Sequence, residues 1–410
     1  MALNYVWLAF FLISFVVALF RLIVLHDTAI FSSVMSGMFD SAKTGAEISL
    51  GLAGIMTFWL GIMRVGEKAG MIKLFARGVD PFFSRLFPGI PKNNPAMGSI
   101  LMNFSATALG LDNAATPLGL KAMKELQELN PKPEVATDAQ IMFLVLNTAG
   151  ITIIPTSVIA IRLASGAANA ADIFIPSLIG TLISFLSGMI AVALYQRINL
   201  FRLPILIFVG GLAGLMALLY FGMHTLPADQ IAIYTSLLGG LLIFTIIVSF
   251  LVMAMIKKIN AYDAFIEGAT DGFKTSVMII PYLVAMLVGI SAFRTTGCMD
   301  YVVNAIGSLF AWMGFNTDFV PALPVGIMKT FSGGAARGLM IDVIKHYGVD
   351  SFQGRLASII QGSTETTFYV LAVYFGSVNI KNTRYALTCG LIADFIGVVC
   401  AIILGYIFFH

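Results

Sequence analysis

The chain has 410 residues, 59% of them apolar and 11% charged, with a formal net charge of +3. Soluble domains average about 45–50% apolar and about 25% charged residues, so this balance argues against a water-soluble fold, and so small a net charge leaves a nucleic-acid partner no electrostatic basis. Three cysteines without CxxC spacing (Cys298, Cys389, Cys400) and four isolated histidines (His26, His224, His346, His410) indicate no disulfide framework, no metal site and no redox chemistry.

Residues 5–25 form the first of five apolar blocks that approach or exceed the ~20 residues needed to cross a ~30 Å hydrocarbon core. No basic segment precedes this block and no small-residue cleavage site follows it, so it is expected to be a retained helix. Residues 26–42 carry no Lys or Arg and are expected outside. Gly37-x-x-Asp40-x-x-Lys43-Thr44 begins within them and is followed by an apolar helix over 48–63. Arg64, Lys68, Lys73, Arg77, Arg85 and Lys92 place the next segment inside, and Lys121, Lys124 and Lys132 place a second polar loop inside as well. Residues 95–120 lie between them, apolar but studded with Gly, Asn, Asp and Pro, and are expected to enter and return as a re-entrant hairpin. A polar-interrupted helix follows around residues 146–157, then the blocks 173–195, 203–223 and 231–256, with Arg197, Arg202, Lys257 and Lys258 marking inside loops.

The pattern then recurs. Gly268-x-x-Asp271-x-x-Lys274-Thr275 precedes an apolar helix over 277–292; Gly297 matches Gly70, and Phe331-Ser332 matches Phe104-Ser105 at the same offset. A second interrupted helix lies around residues 361–364, and the last block spans 385–409. The first GxxDxxKT is expected outside and the second inside. The fold class is therefore an all-α integral membrane protein of two inverted-topology repeats, each with a re-entrant helical hairpin and an interrupted transmembrane helix. The halves are expected at 1–196 and 197–410, with the repeats over about 37–165 and about 268–380.

Four polar constellations interrupt the apolar pattern, two per half. The first holds Asn103, Ser105, Asp112, Asn113 and Thr116, with Gly110 permitting a reversal and Pro117 early in the returning helix. Asp112, Asn113 and Thr116 would cluster at a hairpin tip, or Asp112 would be a plain N-cap in a solvated loop. The second holds Asn147, Thr148 and Thr152, with Pro155 breaking or kinking the helix; its hydroxyls equally suit backbone hydrogen bonds inside an ordinary helix. The third holds Lys329, Ser332 and Arg337, with Gly333-Gly334 supplying the turn. Its two cations would attract an anion in a central cavity, or would lie at an interface or pair with Asp342. The fourth holds Gln361, Ser363, Thr364, Glu365, Thr366 and Thr367. A charge at the bilayer centre costs roughly 2.5–3.5 kcal/mol on the insertion scale, so Glu365 is expected to bind a cation, carry a proton or accept hydrogen bonds from a ligand. The alternative is a salt bridge to Lys329 or Arg337. No GxSxG, HExxH, P-loop or dinucleotide fingerprint occurs, so neither catalysis nor a cofactor is indicated. Tyr5, Trp7, Trp59 and Trp312 are expected to anchor helix ends at the membrane interface.

Two of these motif sets carry a family resemblance. Gly110-Leu111-Asp112-Asn113-Ala114-Ala115-Thr116-Pro117, Leu146-Asn147-Thr148, Pro155-Thr156 and Ala160-Ile161-Arg162 resemble the spore maturation protein A family. Gln361-Gly362-Ser363-Thr364-Glu365-Thr366-Thr367-Phe368-Tyr369 and Lys381-Asn382-Thr383-Arg384-Tyr385 are similar to the spore maturation protein B family. The resemblance covers nearly the whole chain, with a join around residues 197–258, and implies a fusion of two proteins that are usually separate. Both belong to the nucleoside-recognition (Gate) group, which is similar to parts of concentrative nucleoside transporters and of ferrous-iron transport protein B. In spore formers the pair is associated with core dehydration, which implies movement of a solute or ion. This chain departs from the family's Ser-Gly-Ser-Gly-Ala pattern with Ser332-Gly333-Gly334-Ala335-Ala336-Arg337, an extra charge at the hairpin.

The expected function is transport of a small polar or anionic solute across a bacterial cytoplasmic membrane, driven by a proton or sodium gradient, with a homo-oligomer compatible with the sequence. The alternatives are a membrane scaffold for an envelope or sporulation complex and a lipid-acting enzyme. The enzyme would need an acid–base pair that the sequence does not assemble.

Overall fold

The computed structural model describes residues 2–91, 94–110, 112–153, 155–224 and 228–410. In chain order its helices are α1 (Ala2–Val24), α2 (Ile30–Lys68), α3 (Met71–Leu86), α4 (Pro95–Ala108), α5 (Asp112–Glu128), α6 (Asp138–Thr148), α7 (Thr156–Ala164) and α8 (Phe174–Gln196). Then come α9 (Leu203–His224), α10 (Ala228–Ile256), α11 (Ala261–Thr295) and α12 (Cys298–Trp312), a 3-10 turn Val320–Ala322, and α13 (Leu323–Phe331), α14 (Gly333–Tyr347), α15 (Phe352–Ser363), α16 (Thr367–Ser377) and α17 (Ala386–Phe409). Among the described residues there is no strand; Val135 and Asn382 form an isolated bridge. Helices α1, α2, α8, α10, α11 and α17 are long and apolar enough to cross a membrane. Their outward faces expose large apolar side chains, Leu241, Phe244 and Met255 on α10 among them, as suits a surface solvated by lipid. This is a multi-pass helical membrane protein.

The helix starts are written locally. Asn94 caps α4 by accepting from the Ala96 amide at 2.9 Å, with Pro95 in the first turn, where its missing N–H costs nothing. Thr137 and Gln140 close a capping box at α6. Ser332 and Ser351 cap α14 and α15. Gly70 and Gly297 start α3 and α12 in the left-handed region, at φ 83° and 87°, where a side chain would be strained.

The order of elements repeats. A long helix (α2, α11) leads into a glycine-started helix (α3, α12), a tightly joined helix pair (α4–α5, α13–α14), a broken pair (α6–α7, α15–α16) and an apolar helix (α8, α17). The two long helices run antiparallel against each other. Gly37 faces Ser291 and Thr295, Gly45 faces Val284, Gly61 faces Phe265, and Gly268 faces Leu60 and Arg64. At one end Arg64 and Lys68 both pair with Glu267. Small residues let the two backbones approach, which is how helices associate where burial from water no longer drives contact. Helices α8 and α17 use the same device: Gly188 lies against Ala393, and Gly397 against Ser184.

Several sequence expectations are corrected here. Both GxxDxxKT motifs, expected to precede the apolar helices, are themselves helical inside α2 and α11, with Gly37 and Gly268 facing the other long helix. With 39 residues, α2 is about 58 Å long at ~1.5 Å per residue, well beyond the hydrocarbon core. The α13–α14 reversal is made by Ser332 in an extended conformation, and Gly333-Gly334 begin α14. Trp59 is buried in the core rather than at an interface. Asp342 pairs with Arg294 of α11, not with Lys329 or Arg337.

Two ties join distant parts of the chain. Arg162, at the end of α7, is fully buried; it donates to Asp172 at 2.9 Å, to the Val349 carbonyl at 2.9 Å and to Asp350 at 3.2 Å. Arg355 completes this network by donating to Asp172 at 2.7 Å. Reciprocally, Asp138 at the start of α6 accepts from Arg384 and Tyr385, both at 2.8 Å. The start of each broken pair is thus tied to the residues that follow the other pair.

Candidate functional site

Four helix interruptions converge on one cavity of about 340 Å³. Chain reversal at Gly110 (φ 75°) ends α4 and starts α5, and the stretch Ala149–Pro155 separates α6 from α7. Ser332 separates α13 from α14, and residues 364–366 separate α15 from α16. The interruptions hold one another in place: the Ile153 amide donates to the Ala108 carbonyl at 3.0 Å, and the Glu365 amide donates to the Thr148 carbonyl at 3.1 Å. Non-helical backbone at membrane depth is tolerated where protein or a watery cavity surrounds it.

Of the residues singled out from the sequence, Thr116, Asn147, Thr152, Lys329, Arg337, Gln361, Thr364 and Glu365 line the cavity. The other described ones lie outside its lining. Asn103 is fully buried and donates to the Ala115 carbonyl at 2.8 Å, bracing α4 on α5. Ser105 and Ser363 donate to carbonyls one turn back, Leu101 and Ile359, both at 2.6 Å. Ser332 caps α14, and Thr367 donates to Asp394 at 2.6 Å. Thr148 and Thr366 are buried outside the lining. The side chains of Asp112 and Asn113 lie outside the described residues. Thr156 and Ser157, which end the second polar constellation, line the cavity too, as does Tyr374, which no constellation included.

The charge pattern follows from this placement. Lys329 sits at the end of α13 and is 5% exposed. Arg337 lies half-buried in α14 with its Nε lacking a hydrogen-bond partner among the described residues, and Glu365 is half-buried opposite the Asn147 end of α6. The first turns of α7 and α16 face the same space, and neither has a side-chain cap. Their free amides add partial positive charge. The cavity therefore offers two cations and two helix N-termini to an anionic group, and one carboxylate to a donor or a cation.

One carboxylate was not anticipated. Asp394 lies within α17, 4% exposed, in a helix with no other charged residue. Its Oδ2 accepts from Thr367, and its Oδ1 has no hydrogen-bond partner among the described residues.

Comparison with known proteins agrees with this architecture. The family model for Gate, described as nucleoside recognition, matches twice, over residues 49–165 and 276–381, together more than half of the chain. Spore maturation protein B of Bacillus subtilis (strain 168) is 46% identical over 164 residues, covering 40% of this chain and 90% of that protein. Spore maturation protein A of the same organism is 41% identical over 187 residues, covering 46% of this chain and 92% of that protein. With both broken helix pairs inside the matched segments, the chain belongs to the nucleoside-recognition Gate family, to which its similarity to spore maturation proteins A and B adds a second, independent line.

Proposed function

We propose that this protein moves a small polar or anionic solute across the bacterial cytoplasmic membrane by alternating access between two inverted repeats, each carrying a re-entrant helical hairpin. The observation that carries this reading is the cavity at the four interruptions. Its ~340 Å³ falls in the range of small-molecule sites, and its polar lining comes from both repeats of the element order. Inversion is supported by the antiparallel run of α2 against α11, since equivalent helices of repeats related by an axis in the membrane plane point in opposite directions. Re-entrance is supported by the α4–α5 and α13–α14 pairs, each too short to span twice and each reversing beside the cavity.

Recognition is assigned to Lys329, Arg337 and the amide ends of α7 and α16 for the anionic part of the solute. Gln361, Asn147, Thr116, Thr152 and Thr364 complete its polar contacts, and Glu365 is a hydrogen-bond acceptor or carries the coupling ion. The test is a thermal-shift screen of the purified, detergent-solubilised protein with nucleosides, small carboxylates and amino acids, followed by uptake of any hit into proteoliposomes. A ligand of the folded state at ~100 times its dissociation constant adds ~2.7 kcal/mol. Glu365→Gln is expected to abolish uptake while the protein stays folded. Full uptake by that variant would remove Glu365 from the site, and silence across the panel with no uptake would favour a scaffold.

A further inference from the structure

Behind the α15–α16 interruption, two buried oxygens lack partners at one junction. They are Asp394 Oδ1 of α17 and Thr148 Oγ1 at the end of α6, and both residues are more than nine-tenths buried. Their nearness follows from Gly390, one turn before Asp394 on α17. A Cβ there would meet the Thr367 methyl at 2.9 Å and the Thr148 methyl at 3.3 Å, so α6, α16 and α17 close on this point. Thr367 donates to the other carboxylate oxygen at 2.6 Å, and the Thr330 hydroxyl of α13 also lies within hydrogen-bonding reach of the carboxylate. The charged groups facing Asp394 are Lys329 from α13 and Glu365 from the interruption, both within electrostatic reach. Thr148 from α6 and Ser184 from α8, which donates to the Ala393 carbonyl, add only hydroxyls. Asp394 and Thr330 also border a separate apolar cavity of about 940 Å³.

A carboxylate at this depth, with one oxygen empty and hydroxyls around it, is completed by a cation. We infer that Asp394, Thr367 and Thr148 form a site for a small monovalent cation, sodium or proton, linked to the solute cavity through Lys329. With the site empty, the Asp394 carboxylate attracts the Lys329 ammonium, which lines the solute cavity. Filling the site cancels that attraction and frees the field of Lys329 for an anion in the cavity. By linkage the anion then tightens the cation equally. The coupling rests on the transport reading; the cation site stands without it.

The test uses the full chain in detergent. Thermal unfolding is followed in a sodium series against choline at constant ionic strength, and in a pH series in choline alone. The midpoint is expected to rise with sodium, or with falling pH if the proton is the cation, and Asp394→Asn is expected to lose that rise. Thr367→Val keeps the carboxylate and should move the half-saturating concentration at least tenfold. It decides the matter if Asp394→Asn does not fold. Variants that respond to sodium and pH just as the wild-type protein does would overturn the site. A cation response without any solute hit would sink the transport reading alone, and a solute hit without a cation response would sink the site alone.

Discussion

Replacing Gly272 by alanine probes the contact on which the two long helices depend. A Cβ at that position would lie 2.7 Å from the Met56 carbonyl carbon and 2.8 Å from Thr57 Cα. Both are backbone atoms of α2, so no rotamer relieves the clash. The Met56 carbonyl oxygen lies closer still, so reaching an ordinary contact at 3.4 Å requires the helices to part by about 1 Å. Overpacking of this kind costs ~1–3 kcal/mol, and the rigid neighbour puts Gly272→Ala at the upper end. Gly61→Ala meets the ring of Phe265 at 2.5 to 3.0 Å instead, a side chain that can turn, and should cost about 1 kcal/mol. Gly54→Ala, also on α2, meets nothing within 4 Å and gains up to ~1 kcal/mol of helix propensity. Thermal unfolding of the three variants side by side should rank Gly54→Ala at or above the wild-type protein, then Gly61→Ala, then Gly272→Ala. A Gly272→Ala protein as stable as wild type, or more stable than Gly61→Ala, would refute the close approach.

Two further expectations concern the ties. Burial, and then the Asp138 carboxylate that its hydroxyl donates to, push Tyr385 up to about 12 from 10.0. Between those values the unfolded chain releases the proton first, so stability is full below pH 10 and falls as pH rises towards 12; Tyr385→Phe should flatten that alkaline limb of a stability profile. Arg162→Met leaves Asp172 buried with Arg355 as its remaining charged partner, and removing one member of a buried ionic network costs ~3–5 kcal/mol. Loss of folded protein in size-exclusion chromatography would show it, and an unchanged melting midpoint would count against the network.

Much of this arrangement was legible in the residues. Glycine, proline and hydroxyl clusters within apolar runs marked all four interruptions, because such residues together weaken a helix and satisfy backbone groups locally. The convergence of Asn147, Lys329 and Glu365 on one cavity was expected from the repeat. The partners were harder to read. Arg294 meets Asp342 across 48 positions, a pairing that only tertiary packing decides. Gly37 and Gly268 were legible only as a repeated motif, because nothing in the sequence says which neighbouring helix a glycine admits. Asp394 was hidden by its own surroundings: the apolar run over 385–409 reads as a plain spanning helix. Yet one acid in a 24-residue helix of otherwise apolar or small residues carries the same signal that singled out Glu365.

The ties also bear on how the chain is assembled. Chains fold from the N-terminus during synthesis, and a 20-residue span needs no distant partner to insert. Asp138, however, waits for Arg384, 246 positions later, and Arg162 waits for Asp350, 188 positions later. Closing the longer loop costs only about 0.2 kcal/mol more than closing the shorter, since loop entropy grows with the logarithm of length. Either closure also brings the other's ends together. The site therefore matures late, and a nascent chain that ends before residue 349 leaves the Asp138 carboxylate and the Arg162 guanidinium without their distant partners.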